Sequence, residues 1–351
     1  MVHVAMVTPY YEPVVGGITS FVRGLASTLR MKGVQVSIIA NHGIGSKTVR
    51  IVQGGPMKFA RGSAKVLREL RPDVIHAHAH WYALEAALSV DDGGATTFSF
   101  HSQWRSFGYV RRMFLARRLA RCRSVTFPSQ SLRAATALAL PLNRVRVVHP
   151  GTVAFQADPE RVESFRSLNV DPGWRAVIGY VGRFEWPRKV EGFVLLLEAL
   201  TDPRLSDVGL VTLGGGKLLE GARARAHALG IGSRVRFLDN SDDPGPLYAA
   251  CDVYCHPSLQ EGMSLSLLEA MRAGAPIVGF RLPFMEEAIE NGVQGLLVEP
   301  SSDRLADALV RTLADHAFAR HLGTSAKIRA ANDFDWSSVA SQFLEAYGVR
   351  L

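Results

Sequence analysis

Segments typical of buried strands alternate with segments typical of helices along almost the whole sequence, and this alternation constrains the fold most. Val2–Val7 is a short apolar run, Gly16-Gly17 follows it, and apolar residues then recur from Ile18 to Leu29 with helical spacing. Consecutive parallel strands need a crossover connection, which is usually a helix. The sequence therefore predicts an α/β fold whose parallel sheets are covered by helices on both faces.

The alternation occurs twice, in two series of similar plan. In the first series we expect further strands at Val34–Ile39, Val74–Ala77, Thr96–Phe100, Ser124–Phe127 and Val145–Val148. In the second series we expect strands at Val177–Val181, Gly209–Leu213, Val235–Leu238, Asp252–Cys255, Ile277–Val278 and Gly295–Val298. A chain of 351 residues has the length of two ordinary domains. We therefore predict two Rossmann-like, doubly wound domains that face each other across a deep cleft, with ligands at the carboxyl ends of the strands.

The composition is that of a globular protein without a membrane span. Hydrophobic residues make up 47% of the chain and charged residues 21%, which excludes a disordered or fibrous protein. No apolar run approaches the roughly 18–20 residues that cross a bilayer, and the first residues lack the layout of a signal peptide. We therefore expect a cytoplasmic protein. Its three cysteines form no Cys-x-x-Cys motif, so we expect reduced thiols and neither disulfides nor a zinc site.

Charge is divided unevenly between the two halves. Residues 1–150 contain 20 Lys and Arg against 6 Asp and Glu, whereas residues 151–351 contain 20 against 26. The first half therefore carries a formal charge of +14 and the second −6, within a net charge of +8. This division indicates either an anionic partner for the first half or an ordinary solvated basic face. Nucleic acid is not the expected partner, because aromatic residues do not occur at the spacing of stacking platforms.

The most informative segment runs from Pro257 to Pro276. It places Glu261 in a loop directly after a predicted strand, then a glycine, then a helix whose second turn carries Glu269. The free N–H groups and the dipole at the start of such a helix favour an anion such as a pyrophosphate. The spacing of the two carboxylates suits a sugar nucleotide. A helix-capping Glu followed by an exposed Glu would give the same pattern.

Several motifs in one order make the chain similar to a known family. The frame around Glu261 and Glu269 reads Pro-Ser, Glu-Gly, Leu-Leu-Glu-Ala-Met and Ala-Gly-Ala-Pro-Ile-Val. It resembles the donor-binding signature of the retaining glycosyltransferases of family 4, also called glycosyl transferases group 1. The other matching segments are Gly16-Gly17, Asp73-Val74-Ile75-His76-Ala77-His78, Phe100-His101, Val181-Gly182-Arg183-Phe184 with Lys189, and Asn291-Gly292-Val293-Gln294-Gly295-Leu296-Leu297-Val298.

The resemblance implies a GT-B fold in which one domain binds the acceptor and the other binds the donor. Residues 1–150 would form an acceptor-binding Rossmann-like domain and residues 151–335 a Rossmann-like domain that binds the nucleotide-sugar donor. Residues 336–351 would form a C-terminal helix that packs back toward the first domain. The implied activity is retaining transfer of a hexose-type sugar from a nucleoside diphosphate sugar to an acceptor hydroxyl of a glycan, a lipid-linked molecule or a small molecule.

The resemblance also implies roles for individual residues. Arg183 and Lys189 would bind the diphosphate and stabilise the charge that develops as the glycosidic bond breaks. Glu269 would hold the ribose hydroxyls, Glu261 the donor sugar, and His101 would contact that sugar from the first domain. The remaining donor-binding positions are Gly16, Gly17, Gly214, Gly262, Met263, Ser264 and Leu265. In this family the donor's own phosphate helps to take the acceptor proton, so we expect no covalent intermediate, no cofactor and no essential metal.

Two other functions are compatible with the same fold. A phosphate-dependent glycoside phosphorylase would use the same architecture, and a non-catalytic sugar-nucleotide-binding protein could have kept the fold. The presence of Arg183, Lys189, Glu261 and Glu269 together argues against the second alternative.

Two further motifs suggest other chemistry. His76, His78 and His80 alternate, and in an extended strand they would share one face like metal ligands, although the family pattern explains them better. Gly214-Gly215-Gly216-Lys217 resembles a phosphate loop, but Leu218 stands where Ser or Thr would hold magnesium. We therefore interpret the glycines as a strand-to-helix turn whose amides approach the donor.

An arginine-rich segment extends from Arg105 to Arg123. It contains seven arginines, with Phe107, Val110, Met113, Phe114 and Leu119 between them. On a helix this pattern is basic and amphipathic, as expected for a protein that docks peripherally on an anionic membrane at its inner face or binds a phosphorylated acceptor. An ordinary sheet-covering helix with solvated arginines gives the same pattern, and we slightly prefer that interpretation.

Overall fold

The computed structural model describes residues 1–91, 93–102, 109–136, 138–241 and 243–350. The chain divides into two compact units. The first, called the N-terminal unit below, combines Met1–Gly151 with Trp336–Leu351, and the second, the C-terminal unit, contains Thr152–Asp335. The last helix of the chain therefore belongs to the same unit as the first half of the sequence.

A parallel sheet forms the centre of the N-terminal unit. Its strands in the described residues are β1 (His3–Tyr10), β2 (Gln35–His42), β3 (Val49–Ile51), β4 (Val74–His78), β5 (Thr96–Ser99), β6 (Ser124–Phe127) and β7 (Val145–Val147). They lie in the order β3-β2-β1-β4-β5-β6-β7, and every pair is parallel. The strand order reverses between β1 and β4, which is where sheets of this type bind ligands.

Helices cover this sheet. They are α1 (Gly17–Met31), α2 (Pro56–Leu70), α3 (Trp81–Leu88), α4 (Tyr109–Leu119) and α5 (Gln130–Thr136). The central strands are buried on both faces, as β1 illustrates, because only its last residue, Tyr10, is exposed. A run buried on both faces is typical of a parallel strand with helices on each side.

The C-terminal unit repeats the plan with one strand fewer. Its strands are β8 (Ala176–Val181), β9 (Val208–Leu213), β10 (Val235–Leu238), β11 (Val253–His256), β12 (Ile277–Phe280) and β13 (Leu296–Val298). They lie in the order β10-β9-β8-β11-β12-β13, again all parallel in the described residues. Here the order reverses between β8 and β11, so the loops after these two strands are the expected ligand site.

The helices of the second half alternate with these strands. They are α6 (Pro159–Asn169), α7 (Pro187–Ala199), α8 (Leu219–Ala228), α9 (Gly245–Ala250), α10 (Leu265–Ala273), α11 (Pro283–Ala288), α12 (Ser302–Ala314), α13 (His316–Asp333) and α14 (Trp336–Tyr347). Helix α14 packs in the N-terminal unit against α1. The contact is close, because a Cβ atom on Gly24 would lie 2.3 Å from the indole of Trp336.

The predicted fold class is confirmed, since both sheets are parallel, helix-covered and doubly wound. The sequence pattern missed three short elements, β3, α9 and α11. Helices α9 and α11 have only six residues each, and β3 has three. Segments this short do not complete enough periods for their apolar spacing to identify them.

Within the arginine-rich segment the structure describes one helix, Tyr109–Leu119, so the last two arginines lie beyond its end, while Arg105 and Phe107 lie outside the described residues. Three arginines bond within the unit: Arg118 pairs with Glu85, and Arg112 and Arg123 donate to the carbonyls of Thr136 and Gly94. Arg112 and Arg118 therefore hold the helix to its neighbours, and Arg123 holds the segment that follows it. Exposed groups remain in the segment at Met113, Phe114, Arg117 and Arg121.

None of the helices in the described residues combines the length and the apolar character needed to cross a membrane.

Candidate active site

The loop after β11 and the start of α10 form the centre of the candidate site. Ser264 has an extended backbone, and α10 begins at the next residue. Its hydroxyl lies 3.1 Å from that of Ser266 and does not cap the helix, and the first turn of α10 contains no acidic residue. The first N–H groups of this helix therefore have no side-chain cap in the described structure. Such a helix start favours an anionic ligand.

Glu269 lies one turn further along α10 and is supported by a tyrosine. The hydroxyl of Tyr248, on α9, donates a hydrogen bond to Oε2 of Glu269 at 3.0 Å. Burial, together with the charge of Glu269, raises the pKa of Tyr248 well above its ordinary value. Tyr248 therefore stays a neutral donor at physiological pH and holds the carboxylate in place.

Glu261 forms an ion pair with Lys189, which lies in the first turn of α7. The Lys189 Nζ and Glu261 Oε1 atoms are 2.5 Å apart. The side chains are only 23% and 13% exposed, so solvent and salt screen this pair less than a surface pair. Ser258 adds a longer hydrogen bond to the same carboxylate oxygen at 3.4 Å. The structure thus brings together two residues that lie 72 positions apart in the sequence.

Arg183 follows β8 and is held much more loosely. Its side chain is 49% exposed, and its nearest ion-pair contact, from Nη2 to Oε1 of Glu185, measures 3.8 Å. An exposed pair at this distance contributes little to stability. The guanidinium can therefore turn toward an anionic ligand at small cost.

Close backbone contacts bring these loops together. A Cβ atom on Gly214 would lie 2.0 Å from the carbonyl oxygen of Gly182, and one on Gly192 would lie 1.8 Å from that of Pro257. Gly214 thus allows the loops after β9 and β8 to touch. Gly192 allows α7 to touch the loop that carries Glu261. Any larger residue would clash at either position. Gly214 agrees with its interpretation as part of a strand-to-helix turn, whereas sequence reasoning did not identify Gly192. A glycine inside an otherwise apolar helical stretch often marks a close packing contact, and this feature of the sequence could have identified Gly192.

His256, the last residue of β11, is a second residue that sequence reasoning missed. It is 2% exposed, and its Nε2 atom has no hydrogen-bond partner among the described residues. Its Nδ1 atom lies 3.5 Å from the hydroxyl of Tyr254. Burial lowers the pKa of His256 to about 4; Glu261 opposes this shift and Lys189 reinforces it. A neutral imidazole therefore lies close to the Lys189–Glu261 ion pair.

The predicted residues of the N-terminal unit lie at the carboxyl ends of β1 and β5. Gly16 and Gly17 form the start of α1, whose first turn has neither an acidic residue nor a side-chain cap in the described structure. His101 follows β5, and its Nε2 lies 3.2 Å from Nδ1 of His78. Burial lowers the pKa of His101 to about 4. At neutral pH this end of the sheet therefore carries an uncharged histidine.

The three alternating histidines do not share one face. His76 and His78 lie on the same side of β4, with ring centroids 3.8 Å apart. The strand ends at His78, Ala79 has a left-handed backbone (φ 64°), and His80 stacks instead on Tyr82. Within the described residues, no three His, Cys, Asp or Glu side chains are arranged to hold a metal ion.

The predicted residues thus form two separate groups. One group lies in the C-terminal unit, at the ends of the neighbouring strands β9, β8 and β11 and at the starts of α7 and α10. It consists of Arg183, Lys189, Gly214, Glu261, Gly262, Met263, Ser264, Leu265 and Glu269. The other group lies in the N-terminal unit and consists of Gly16, Gly17 and His101.

Two family models match the chain. The model for Glycosyltransferase Family 4 matches residues 15–153, and the model for Glycosyl transferases group 1 matches residues 175–315. The phosphatidyl-myo-inositol mannosyltransferase of Mycobacterium leprae is 28% identical over 374 residues, which cover 98% of this chain and 96% of the relative. The D-inositol 3-phosphate glycosyltransferase of Salinispora tropica is 31% identical over 222 residues, or 58% of this chain and 46% of the relative.

Solved structures share the fold over nearly the whole length. Anabaena HepE in complex with UDP and glucose superposes with a TM-score of 0.84 at 21% identity, covering 98% of this chain and 99% of HepE. Sucrose-phosphate synthase from Thermosynechococcus elongatus superposes with the same TM-score and identity, covering 99% of this chain and 98% of the synthase.

Proposed function

Since the chain belongs to the glycosyltransferases of family 4 and has the GT-B fold, we propose that it transfers a hexose-type sugar from a nucleoside diphosphate sugar to an acceptor hydroxyl. We propose further that the anomeric configuration is retained. In this proposal the C-terminal unit binds the donor and the N-terminal unit binds the acceptor.

One observation carries the proposal: Glu261, paired with Lys189, lies in the loop that leads into the uncapped start of α10, and Glu269 lies one turn further along that helix. Cationic groups and helix N–H groups suit a diphosphate, and carboxylates suit the hydroxyls of a ribose and a sugar. A site for a diphosphate alone would not need two supported carboxylates. The combination therefore supports a ligand that carries both phosphate and sugar groups.

The chemistry follows from the charge that the leaving group acquires. As the bond between the anomeric carbon and the phosphate breaks, negative charge grows on the diphosphate, and Arg183 and Lys189 stabilise it. Lys189 is already directed by its contact with Glu261 at 2.5 Å, so little reorganisation is needed when the diphosphate binds. Because two cationic side chains meet the diphosphate, we propose that no metal ion is required, and turnover should persist in the presence of EDTA.

The test of the reaction class is the stereochemistry of turnover. The protein is incubated with UDP-, GDP- and ADP-sugars of α configuration, and the released nucleotide and the newly formed anomer are followed by chromatography and proton NMR. We expect at least one donor to release its nucleoside diphosphate and to give an α product before mutarotation. A β product would contradict retention, and no release from any donor would contradict the activity.

The two alternative functions make different predictions in the same assay. A glycoside phosphorylase would release a sugar phosphate from a glycoside only when inorganic phosphate is added. A non-catalytic binding protein would bind a nucleotide without turnover. We expect neither result. The charged residues proposed to stabilise a leaving diphosphate argue against a non-catalytic protein, and the two supported carboxylates favour a nucleotide sugar over inorganic phosphate.

We propose that the acceptor, or the surface that carries it, is anionic. The N-terminal unit, counted over residues 1–151 and 336–351, holds 21 Lys and Arg against 7 Asp and Glu, a formal charge of +14. Met113 and Phe114 are 43% and 60% exposed on α4, near the exposed Arg117. The mycobacterial relative is named for a phosphatidyl-myo-inositol acceptor, which is consistent with this proposal.

Co-sedimentation with vesicles tests the membrane part of this proposal. We expect binding to phosphatidylglycerol vesicles at low ionic strength, weaker binding as salt rises, and weaker binding in an Arg117→Glu/Phe114→Ser variant. Absence of sedimentation with anionic vesicles at low salt would refute the membrane contact and leave the transferase proposal intact.

A further inference from the structure

Three histidines at the carboxyl end of the N-terminal sheet form a buried cluster, which we call the histidine cluster (His76, His78 and His101). His76 and His78 are fully buried, whereas His101 is partly exposed. Their rings are close, since the centroids of His76 and His78 are 3.8 Å apart and those of His78 and His101 are 5.5 Å apart. The three side chains nevertheless differ in how their nitrogen atoms are bonded.

Both ring nitrogens of His76 form hydrogen bonds within the N-terminal unit. Its Nδ1 lies 2.7 Å from the hydroxyl of Tyr347 on α14, and its Nε2 lies 2.6 Å from the hydroxyl of Ser99 on β5. Ser99 in turn lies 2.6 Å from the hydroxyl of Thr126 on β6. His76 therefore connects the last helix of the chain to the sheet, and neither of its nitrogens is available to orient His101.

His78 has one nitrogen bonded and one without a partner. Its Nδ1 lies 3.2 Å from Nε2 of His101, while its buried Nε2 has no hydrogen-bond partner among the described residues. Burial lowers the pKa of both histidines, so both are neutral and each carries a single N–H. The contact between the two rings requires one donor and one acceptor.

The nitrogen without a partner decides which ring donates. If His101 donated, the proton of His78 would sit on Nε2, where a buried N–H would have no acceptor. Orphaned buried N–H groups are rarer in proteins than acceptors that lack a donor. The proton of His78 is therefore on Nδ1 and points to Nε2 of His101. His101 must then carry its own proton on Nδ1.

Two other features hold this arrangement in place. The ring of Phe21, on α1, meets the ring of His101 edge-on, with centroids 4.8 Å apart and an interplanar angle of 86°. Ala79 adopts its left-handed backbone directly after His78, and its N–H donates to the carbonyl of Ser99 at 2.9 Å. A non-glycine residue in this conformation is strained, and such strain often occurs at functional sites.

We propose that His78 is a positioning residue that fixes His101 as its Nδ1–H tautomer. His101 then offers a hydrogen-bond donor to an oxygen of the sugar substrate and cannot accept a proton from a substrate hydroxyl, because its Nε2 lone pair is engaged by His78. The inference rests on the proposed function only in taking His101 as a substrate contact. The tautomer itself is a property of the protein without substrate.

The test is a long-range proton–nitrogen NMR spectrum of the full chain labelled with ¹⁵N-histidine, with the His101 signals assigned by comparison with His101→Gln. At neutral pH we expect a protonated Nδ1 and an unprotonated Nε2 in His101, and the same pattern in His78. A protonated Nε2 in His101 would overturn the proposal. Because no donor is added, this result does not depend on whether the transferase proposal holds.

Variants separate positioning from packing. His78→Asn keeps an amide N–H near the position of Nδ1 and should preserve the His101 tautomer, whereas His78→Phe keeps a ring without a donor and should give a mixture of tautomers. His76→Phe is the matched control, since it removes a buried histidine but leaves the contact between His78 and His101. An unchanged His101 spectrum in His78→Phe, or an equal change in His76→Phe, would refute the role of His78.

Turnover supplies the functional readout. With hydrolysis of UDP-glucose and GDP-mannose as probes, we expect kcat/KM to fall about tenfold in His78→Phe, which corresponds to the loss of one hydrogen bond, and to change less than about threefold in His78→Asn. Equal losses in both variants would contradict positioning through the N–H. If the wild-type protein hydrolyses neither probe, the proposed function loses support, and the spectra still decide the tautomer.

Discussion

The two units share one architecture but differ in the charge of the side chains near the carboxyl ends of their strands. The C-terminal unit, counted over residues 152–335, is acidic overall, with 19 Lys and Arg against 25 Asp and Glu, yet the loop after β8 and the first turn of α7 carry the cations Arg183 and Lys189. The N-terminal unit has a formal charge of +14, yet neutral histidines lie at the end of β4 and just after β5. The charge of a unit therefore does not predict the charge of its site.

The difference is one of local burial and pairing. In the C-terminal unit the Lys189–Glu261 ion pair allows two charges to remain in a mostly buried position. In the N-terminal unit no acidic partner lies against His78 or His101 in the described residues, so burial dominates and both rings lose their charge. Charged strand ends suit a diphosphate, whereas neutral ones suit the uncharged hydroxyls of a sugar.

Removing the positive charge of Lys189 in the C-terminal unit should have the largest effect on turnover. We expect Lys189→Ala to lower kcat by about 10² to 10³, because the cation proposed to stabilise the leaving diphosphate is lost and the carboxylate of Glu261 is left without its ion-pair partner. The neighbouring Arg188 is the matched control, since its exposed pair with Glu191 lies on the same turn of α7. Equal effects of Lys189→Ala and Arg188→Ala on turnover would contradict the special role of Lys189.

The pH dependence of stability tests whether burial keeps the histidines neutral. The pKa of His256 is lowered from 6.5 to about 4 in the folded protein, so between these values the unfolded chain binds more protons and stability falls as the pH falls. His256 alone should cost about 2 kcal/mol between about pH 7 and pH 5. Urea denaturation at both pH values should show a smaller loss in His256→Phe than in the wild type. The histidine cluster contributes with the same sign.

An identical pH dependence in the wild type and in His256→Phe would show that the pKa of His256 is the same in the folded and the unfolded protein, so that burial does not keep it neutral. The contrast between buried neutral histidines and a buried charged pair would then fail for the C-terminal unit.

The packing that brings Lys189 to Glu261 can be tested with two glycines. Gly192→Ala would place a Cβ atom 1.8 Å from the carbonyl oxygen of Pro257. Relief of this clash would require the backbone of α7 or of the loop to move. We expect the free energy of unfolding to fall by about 2 kcal/mol. Gly221→Ala, in the first turn of α8 with open space around it, should instead raise stability by up to about 1 kcal/mol. Equal thermal denaturation of the two variants would contradict the close contact.

Much of the fold and part of the site can be read from the sequence. Strands such as β6 are predicted to the residue, because they carry complete apolar patterns between clear breaks. The positions of Glu261 and Glu269 relative to α10 also follow, since both belong to one local segment.

The supporting residues could not be predicted because their partners are remote in sequence. Tyr248 lies 21 positions from Glu269, Lys189 lies 72 positions from Glu261, and His76 lies 271 positions from Tyr347. Periodicity describes which face of an element is buried and not which side chain of another element it meets. The tautomer of His101 depends on such a remote contact, with His78, and so emerges only from the structure.

Calorimetric titration with UDP, GDP and ADP tests the central claim most directly, namely that the C-terminal unit holds a nucleoside diphosphate beside α10. We predict that the wild-type protein binds one of the three, that Glu269→Ala binds it at least tenfold more weakly through loss of the ribose contacts, and that Arg188→Ala binds it as the wild type does. Binding of none of the three nucleotides by the wild type, or equal binding by wild type and Glu269→Ala, would contradict the account.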